Sequence, residues 1–140
     1  DRMNVPSWSQ LLLVGLGGAC GAMARYVTTV AAIGWWGERF PYGTLIVNVA
    51  GCLAIGALLR LSTGWVGDST RLMLSVGVLG GLTTFSTFGM DTVSRLQQGA
   101  WGTALANVAA NLGFGLSAVA LGIALGAWLS AEGTPPPSID

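Results

Sequence analysis

The sequence predicts an all-α membrane protein built from four transmembrane helices. Charge, its placement, and glycine content carry that prediction. Only 9% of the 140 residues are charged, six Arg and six acids with no Lys or His, whereas a water-soluble domain carries about a quarter. The uncharged stretches between those charges are Met3–Ala24, Phe40–Leu59, Leu72–Met90 and Leu96–Ala131, of 22, 20, 19 and 36 residues. A helix rising about 1.5 Å per residue needs about 20 residues to cross a hydrocarbon core of about 30 Å. The 22 glycines are more than twice the usual share of about 7%. Most fall inside the apolar stretches, where glycine lets helix backbones approach closely.

Span 1 is expected from about Leu11 to Ile33, with Arg25 within it. The Gly34–Pro41 loop that follows carries Trp35 and Trp36, side chains suited to a membrane interface. Span 2 is expected from Gly43 to Leu61, and the Gly-, Ser- and Thr-rich segment Ser62–Thr70 reads as a turn. Span 3 is expected from Arg71 to Leu96. Gln97–Trp101 marks a second interface, and span 4 runs from Gly102 to Leu129. Residues 1–131 thus form one four-span unit. Glu132–Asp140, with three consecutive prolines, reads as a disordered tail. Gly17-x-x-x-Gly21, Gly77-x-x-x-Gly81 and Gly122-x-x-x-Gly126 each put small residues on one helix face, the pattern of generic helix packing.

Composition excludes several function classes. A net charge of zero with no basic cluster leaves no electrostatic footprint for nucleic acid. Without His, imidazole metal sites and His-based triads are absent. Cys20 and Cys52 stand singly in apolar runs and read as small buried hydrophobes. No cleavable signal peptide is expected, because no A-x-A site closes the first apolar run. No nucleophile–base pair is visible, so an enzyme is not expected.

The arginines also bear on orientation. With four spans, Arg2, Arg60 and Arg71 fall on one side of the membrane, and Arg39 and Arg95 on the other. So even a split gives the positive-inside rule little to act on. Insertion in both orientations, with two copies paired antiparallel, is the hypothesis that follows.

Polar side chains inside spans usually face a bundle interior or a water-filled path. Here they are Arg25, Thr44, Asn48, Ser75, Thr83, Thr84, Ser86, Thr87, Asn107, Asn111 and Ser117. Asn107 and Asn111 are four apart and share a helix face. With Asn48 they read either as interhelical hydrogen-bond glue or as a donor-lined path for an anion. Span 3 carries the sharpest signal, Gly80-Gly81-Leu82-Thr83-Thr84-Phe85-Ser86-Thr87-Phe88. Adjacent glycines followed by hydroxyl residues weaken a helix, so a break is expected near mid-membrane. Unwound backbone at that depth requires burial in protein or a cavity to line. Phe85 and Phe88, three apart, point roughly the same way, and an aromatic ring presents a positive edge that an anion can meet. Arg25 is expected near one end of span 1, as an anchor or beside an anion vestibule.

At these residues the chain resembles the Fluc/CrcB family of small fluoride channels. The pieces are Gly17-Gly18-x-x-Gly21-Ala22-x-x-Arg25-Tyr26, Gly43-Thr44-Leu45-x-x-Asn48-x-x-Gly51 and Gly80-Gly81-x-Thr83-Thr84-Phe85-Ser86-Thr87-Phe88, in order. The resemblance implies an antiparallel, dual-topology homodimer of four-helix subunits in the bacterial inner membrane, with a broken third helix and two fluoride pores. It implies pore phenylalanines at Phe85 and Phe88 and a pore asparagine at Asn48. It also implies a structural Na⁺ at the dimer centre, held by the backbone carbonyls of Gly80 and Thr83 from both subunits. Asp91 stands where the family usually has Glu, and Asn107 and Asn111 stand where it tends to have Tyr, Ser or Thr. With Thr84, Ser86 and Thr87, these amides make the expected polar track, with Arg25 and Asp91 at its mouth. The alternative reading is a small proton-coupled multidrug exporter. That chemistry needs an acid in the membrane, typically in the first span, and none lies between Asp1 and Glu38.

Overall fold

The computed structural model describes residues 6–61 and 66–132. All regular structure among them is helical. Four helical stretches are long and apolar enough to cross a membrane: Trp8–Trp36, Tyr42–Arg60, Asp68–Gln97 and Trp101–Ala131. Each expected span is found, and each expected boundary moves by a few residues for a local reason.

Helix α1 (Trp8–Trp36) starts three residues before the expected Leu11 because Ser7 caps it. The Ser7 hydroxyl accepts from the Gln10 amide, and Gln10 Oε1 accepts from the Ser7 amide at 2.9 Å. This reciprocal pair is the S-x-x-Q capping box, legible in the sequence at Ser7–Gln10. The helix runs uninterrupted through Arg25 and stops at Gly37, whose φ of 72° favours glycine. Arg25 is therefore not near a helix end: Trp36 lies about 16 Å further along the axis at the helical rise.

Helix α2 (Tyr42–Arg60) follows, after an aromatic cluster in which Tyr42 packs on Trp36 and Phe40 at ring-centroid distances of 5.5 and 4.9 Å. Its C-terminal carbonyls are met by Arg71, whose Nη2 donates to Leu61 O at 2.6 Å and whose Nη1 donates to Leu58 O. A guanidinium there satisfies carbonyls the helix leaves unpaired and complements the negative end of its dipole.

The third span is composite. Helix α3 (Asp68–Leu72) begins within the expected turn, with Asp68 in its first turn where a negative charge suits the dipole. Met73–Leu79 then winds as a π-helix, a feature the sequence did not signal. Helix α4 (Gly80–Leu82) follows, then Thr83 and Thr84 in extended conformation, with ψ of 155° and 115°. Helix α5 (Phe85–Gln97) resumes with Thr84 as its N-cap. Gly80 and Gly81 are thus helical, and the extended residues are the threonines after them. Helix α6 (Trp101–Glu132) completes the bundle after a turn at Gly99, φ 74°. It takes in Glu132, the first residue assigned to the tail; the rest of that segment, and Ser62–Trp65 of the second turn, lie outside the described residues.

Glycine decides how closely these helices pack. The Gly17/Gly21 face of α1 lies directly on the Gly77/Gly81 face of span 3. A Cβ at Gly17 would sit 2.7 Å from Met73 O, and one at Gly21 2.8 Å from Leu82 N and nearer still to Val78 O. Gly122 and Gly126 of α6 similarly abut the backbone of Leu53–Ala57 in α2. All three small-residue motifs are therefore contact faces. The buried core is correspondingly small-sided, with Ala32, Val47, Leu58, Ala104 and Ala118. Large side chains such as Leu12, Leu16, Leu105 and Leu116 point outward, which is sensible where the surrounding solvent is lipid.

Gly21→Val and Gly81→Val are expected to abolish folded, monodisperse protein in detergent, since backbone opposes the added atoms and overpacking alone costs about 1–3 kcal/mol. Gly34→Ala, where nothing lies within 4 Å, leaves the elution profile unchanged and does not lower the melting temperature, since Ala is the better helix former.

Candidate functional site: a hydroxyl and phenylalanine cleft

Where the chain leaves the helix, the Thr83 amide still donates to Leu79 O, but the Thr84 amide needs a new partner, since a buried unpaired amide is costly. Asn48 of α2 supplies it. The Thr84 amide donates to Asn48 Oδ1 at 2.8 Å, and Asn48 Nδ2 donates back to Thr84 O at 3.2 Å. The Thr84 side chain caps α5: its Oγ1 accepts from the Thr87 amide at 3.1 Å and donates to Thr87 Oγ1 at 3.0 Å. Ser86 Oγ lies 3.2 Å from the same oxygen.

The asparagines form one ladder. Asn48 Nδ2 also donates to Asn111 Oδ1 at 3.0 Å. Asn111 Nδ2 donates to Asn107 Oδ1 at 2.9 Å and to Asn107 O at 3.1 Å. Asn107 Nδ2 donates to Thr92 Oγ1 at 2.9 Å. Both N–H bonds of Asn48 and of Asn111 are spent inside the protein. In this subunit the amides bond helix to helix, and Asn48 and Asn111 also line a cleft. Asn107 is 0% exposed, sealed behind Asn111 rather than facing open space.

Two clefts flank this region. The first, of about 370 Å³, is lined by Asn48, Gly80, Thr83, Thr84, Phe85, Phe88 and Asn111 among others. Phe85 and Phe88 stand with centroids 5.4 Å apart and planes inclined at 50°. Phe85 is 81% exposed at the cleft's edge, while Phe88 is half-buried. The second cleft, of about 300 Å³, lies toward the α1–α2 loop and is lined by Glu38, Thr44, Thr87, Asp91 and Arg95. There the Thr44 hydroxyl donates to Asp91 Oδ2 at 2.8 Å. Arg95 donates to Glu38 O, tying the loop to the end of α5. The Thr84–Thr87 hydroxyl contact connects the two clefts, because Thr84 lines the first and Thr87 the second.

The structure thus brings together Asn48, Gly80, Thr83, Thr84, Phe85, Phe88 and Asn111 at one cleft, and Thr87 with Asp91 at the other. Ser86, Asn107 and Arg25 line neither. Arg25 is half-buried in α1 and makes no hydrogen bond or ion pair among the described residues. Thr92 was not singled out from the sequence, and Arg95 was read only for its side of the membrane. Thr92 had one available signal: a Thr four residues after Phe88 can donate to that carbonyl, and it does, at 2.8 Å.

The residues expected to hold Na⁺ can be tested for fit. In a continuous helix Gly80 O would accept from the Thr84 amide, and Thr83 O from the Thr87 amide. Those amides donate instead to Asn48 Oδ1 and Thr84 Oγ1. Both carbonyls are therefore released from helical pairing, and both residues line the first cleft. This is a donor set that suits a hard cation. No cluster of three or more His, Cys, Asp or Glu side chains suited to a metal occurs among the described residues.

Residues 12–123 match the family described as CrcB-like protein, Camphor Resistance (CrcB). The chain belongs to the CrcB family. It is 43% identical over 122 residues to the fluoride-specific ion channel FluC of Chloroflexus aurantiacus, covering 86% of this chain and 97% of that protein. The FluC of Clostridium perfringens strain 13 is 42% identical over 113 residues, 79% of this chain and 88% of its own length. That of Hydrogenovibrio crunogenus is 46% identical over 116 residues, 81% of this chain and 88% of its own length. Membership of CrcB makes this a multi-pass membrane protein of an ion-channel family rather than an enzyme, and it does not favour the exporter reading.

Asn48→Leu is expected to strand the Thr84 amide, while the Thr84 carbonyl keeps its place as the first acceptor of α5. At about 1–3 kcal/mol for a buried group left unpaired, the unfolding midpoint in detergent falls clearly below that of the parent protein.

Proposed function

We propose that this chain is the subunit of a fluoride-selective channel that lets fluoride leave the cytoplasm passively and so confers fluoride resistance. The observation that carries this reading is the cleft formed by Phe85 and Phe88 beside the Thr84–Thr87 hydroxyl pair, in a chain matching fluoride channels over most of its length. Fluoride is small and strongly hydrated, so a path through the membrane must replace its water with other donors. Burying an ion without such compensation costs tens of kcal/mol by the Born estimate.

The donors at hand are neutral. Thr84 gives its hydroxyl proton to Thr87, so Ser86 donates to Thr84, and the Thr87 proton is left to point elsewhere. Thr44 donates to Asp91. An anion between the clefts therefore meets the Thr87 hydroxyl on one side and the positive edges of Phe88 and Phe85 on the other. Weak, repeated contacts of this kind let an ion enter without trapping it. The amides of Asn48 and Asn111 hold the walls and reach the ion only by giving up a bond within their ladder.

Two subunits complete the pore in this reading. Phe85 stands exposed at the edge of an open cleft, where a second copy would close it. The near-even arginine distribution supports antiparallel pairing and insertion in both orientations. The released carbonyls of Gly80 and Thr83, contributed by both subunits, would hold Na⁺ at the dimer centre. A bound cation there supplies charge to balance converging carbonyl dipoles and ties the subunits together. The setting proposed is the inner membrane of a bacterium.

Liposomes carrying the wild-type protein are expected to release fluoride, read by a fluoride electrode, while chloride stays inside; absence of fluoride release refutes the channel reading. Phe85→Ile and Phe88→Ile should each lower efflux at least tenfold, a loss of about 1.4 kcal/mol or more at the rate-limiting step, while the dimer still assembles. Normal flux in both removes the ring-edge mechanism. A C-terminal tag should be accessible from both sides of the membrane, and accessibility from one side alone eliminates dual insertion.

A further inference from the structure

The amide ladder is not open-ended. It begins at the Thr84 amide, crosses to Asn48 on α2, passes to Asn111 and Asn107 on α6, and returns to α5 at Thr92. Thr92 Oγ1 then donates to Phe88 O at 2.8 Å. The circuit therefore leaves the third span just before Phe85 and re-enters it at Phe88. From the Thr84 amide to Phe88 O these bonds run in one donor direction, Asn48 alone also donating back to Thr84 O, and the two rings sit on the segment that the circuit spans.

We propose that Thr92 is a positioning residue for conduction: its hydroxyl closes this circuit and so fixes the angle at which Phe88, and with it Phe85, presents a ring edge to the cleft. Thr92 lines neither cleft and does not touch the ion path. It accepts from fully buried Asn107 while donating to the backbone that carries the ring. Removing the hydroxyl leaves the Asn107 amide facing an apolar group, with no other acceptor assigned to it. An amide in that position turns to find one. The turn passes to Asn111 and Asn48 and loosens the Thr84 anchor at the other end. The Thr84 end of the ring-bearing segment is then loosened while α5 still carries Phe88, and ring edges set for contact with a small anion lose their register.

The proposal rests on the channel reading, and the test separates the two. Wild-type, Thr92→Val and Thr92→Ser proteins are reconstituted in liposomes at equal dimer content, and fluoride and chloride efflux are measured alongside the melting temperature. Valine keeps the shape and removes the hydroxyl, whereas serine restores it. T92V is expected to lower fluoride efflux about tenfold, since small misplacements of contact groups have effects of this order, and to narrow the fluoride-over-chloride preference. T92S recovers both. Wild-type efflux and selectivity in T92V, even with a lower melting temperature, overturns the proposal by making the circuit merely structural. Silent wild-type liposomes refute the channel reading itself. Should T92V fail to fold, Asn107→Ser breaks the circuit one link earlier and carries the same expectation. Loss of folding in that variant too, or unchanged flux in it, also overturns the proposal.

Discussion

The bond from the Thr84 amide to Asn48 Oδ1 is the contact on which the remaining features depend. A chain that stops being helical inside a bilayer releases backbone groups that no water can meet. Asn48 meets both the amide and the carbonyl of one residue with one side chain, which makes the extended step at Thr83–Thr84 tolerable. The carbonyls of Gly80 and Thr83 lose their helical donors because of that step. The N-cap at Thr84, the direction of α5 and the placement of Phe85 and Phe88 follow from it as well.

This constraint explains why the polar residues divide into two kinds. The asparagines have two donors and an acceptor each, so they can satisfy backbone and one another, and in doing so they become scaffold. The hydroxyls have a single proton each; Thr44, Ser75, Thr83 and Thr84 spend theirs on Asp91, Arg71 O, Leu79 O and Thr87. Glycine plays the complementary part on the other side of span 3. Gly77 and Gly81 let α1 press against the π-helical segment and α4, which holds the N-terminal half of the span firmly while its C-terminal half is set by the amide ladder.

Most of the fold was legible because its causes are local in sequence. Charge spacing located four spans, and the small-residue motifs named the faces that touch. The π-helix at Met73–Leu79 had no such signal: Ser75, Val76, Gly77 and Val78 weaken an α-helix without specifying a wider one, and the segment packs against Gly17 and Gly21 of α1. The site was legible by residue type more than by role. Asn48, Thr84, Phe85 and Phe88 do converge, but the glycines expected to break the helix are helical. Their small size serves packing at Gly81 and exposure at Gly80, while the threonines leave the helix because Asn48, distant in sequence, offers better partners. Arg25 was misplaced because its charge suggested a helix end, whereas α1 continues to Trp36. No single-sequence pattern reveals that three amides on two helices bond in series, nor that Thr92 ends the series.

The proposed path carries little fixed positive charge. An arginine beside Phe88 would attract an anion strongly, but in a low-dielectric setting its attraction would deepen with every ångström of burial. Here the nearest basic side chain on α5, Arg95, sits at the loop end and is already committed to Glu38 O, and Arg71 is committed to the end of α2. Both cations are thereby used as helix and loop fasteners at the ends of span 3, away from the Phe pair. What remains between the two clefts is a hydroxyl proton and two ring edges, contacts weak enough to be exchanged one for another. Such exchange requires that the weak contacts be held still, because a small displacement removes a ring edge altogether whereas a full charge would act across several ångströms. A path of neutral donors therefore demands a stiffer wall than a charged one, and the closed amide circuit from Thr84 to Phe88 is a wall of that kind.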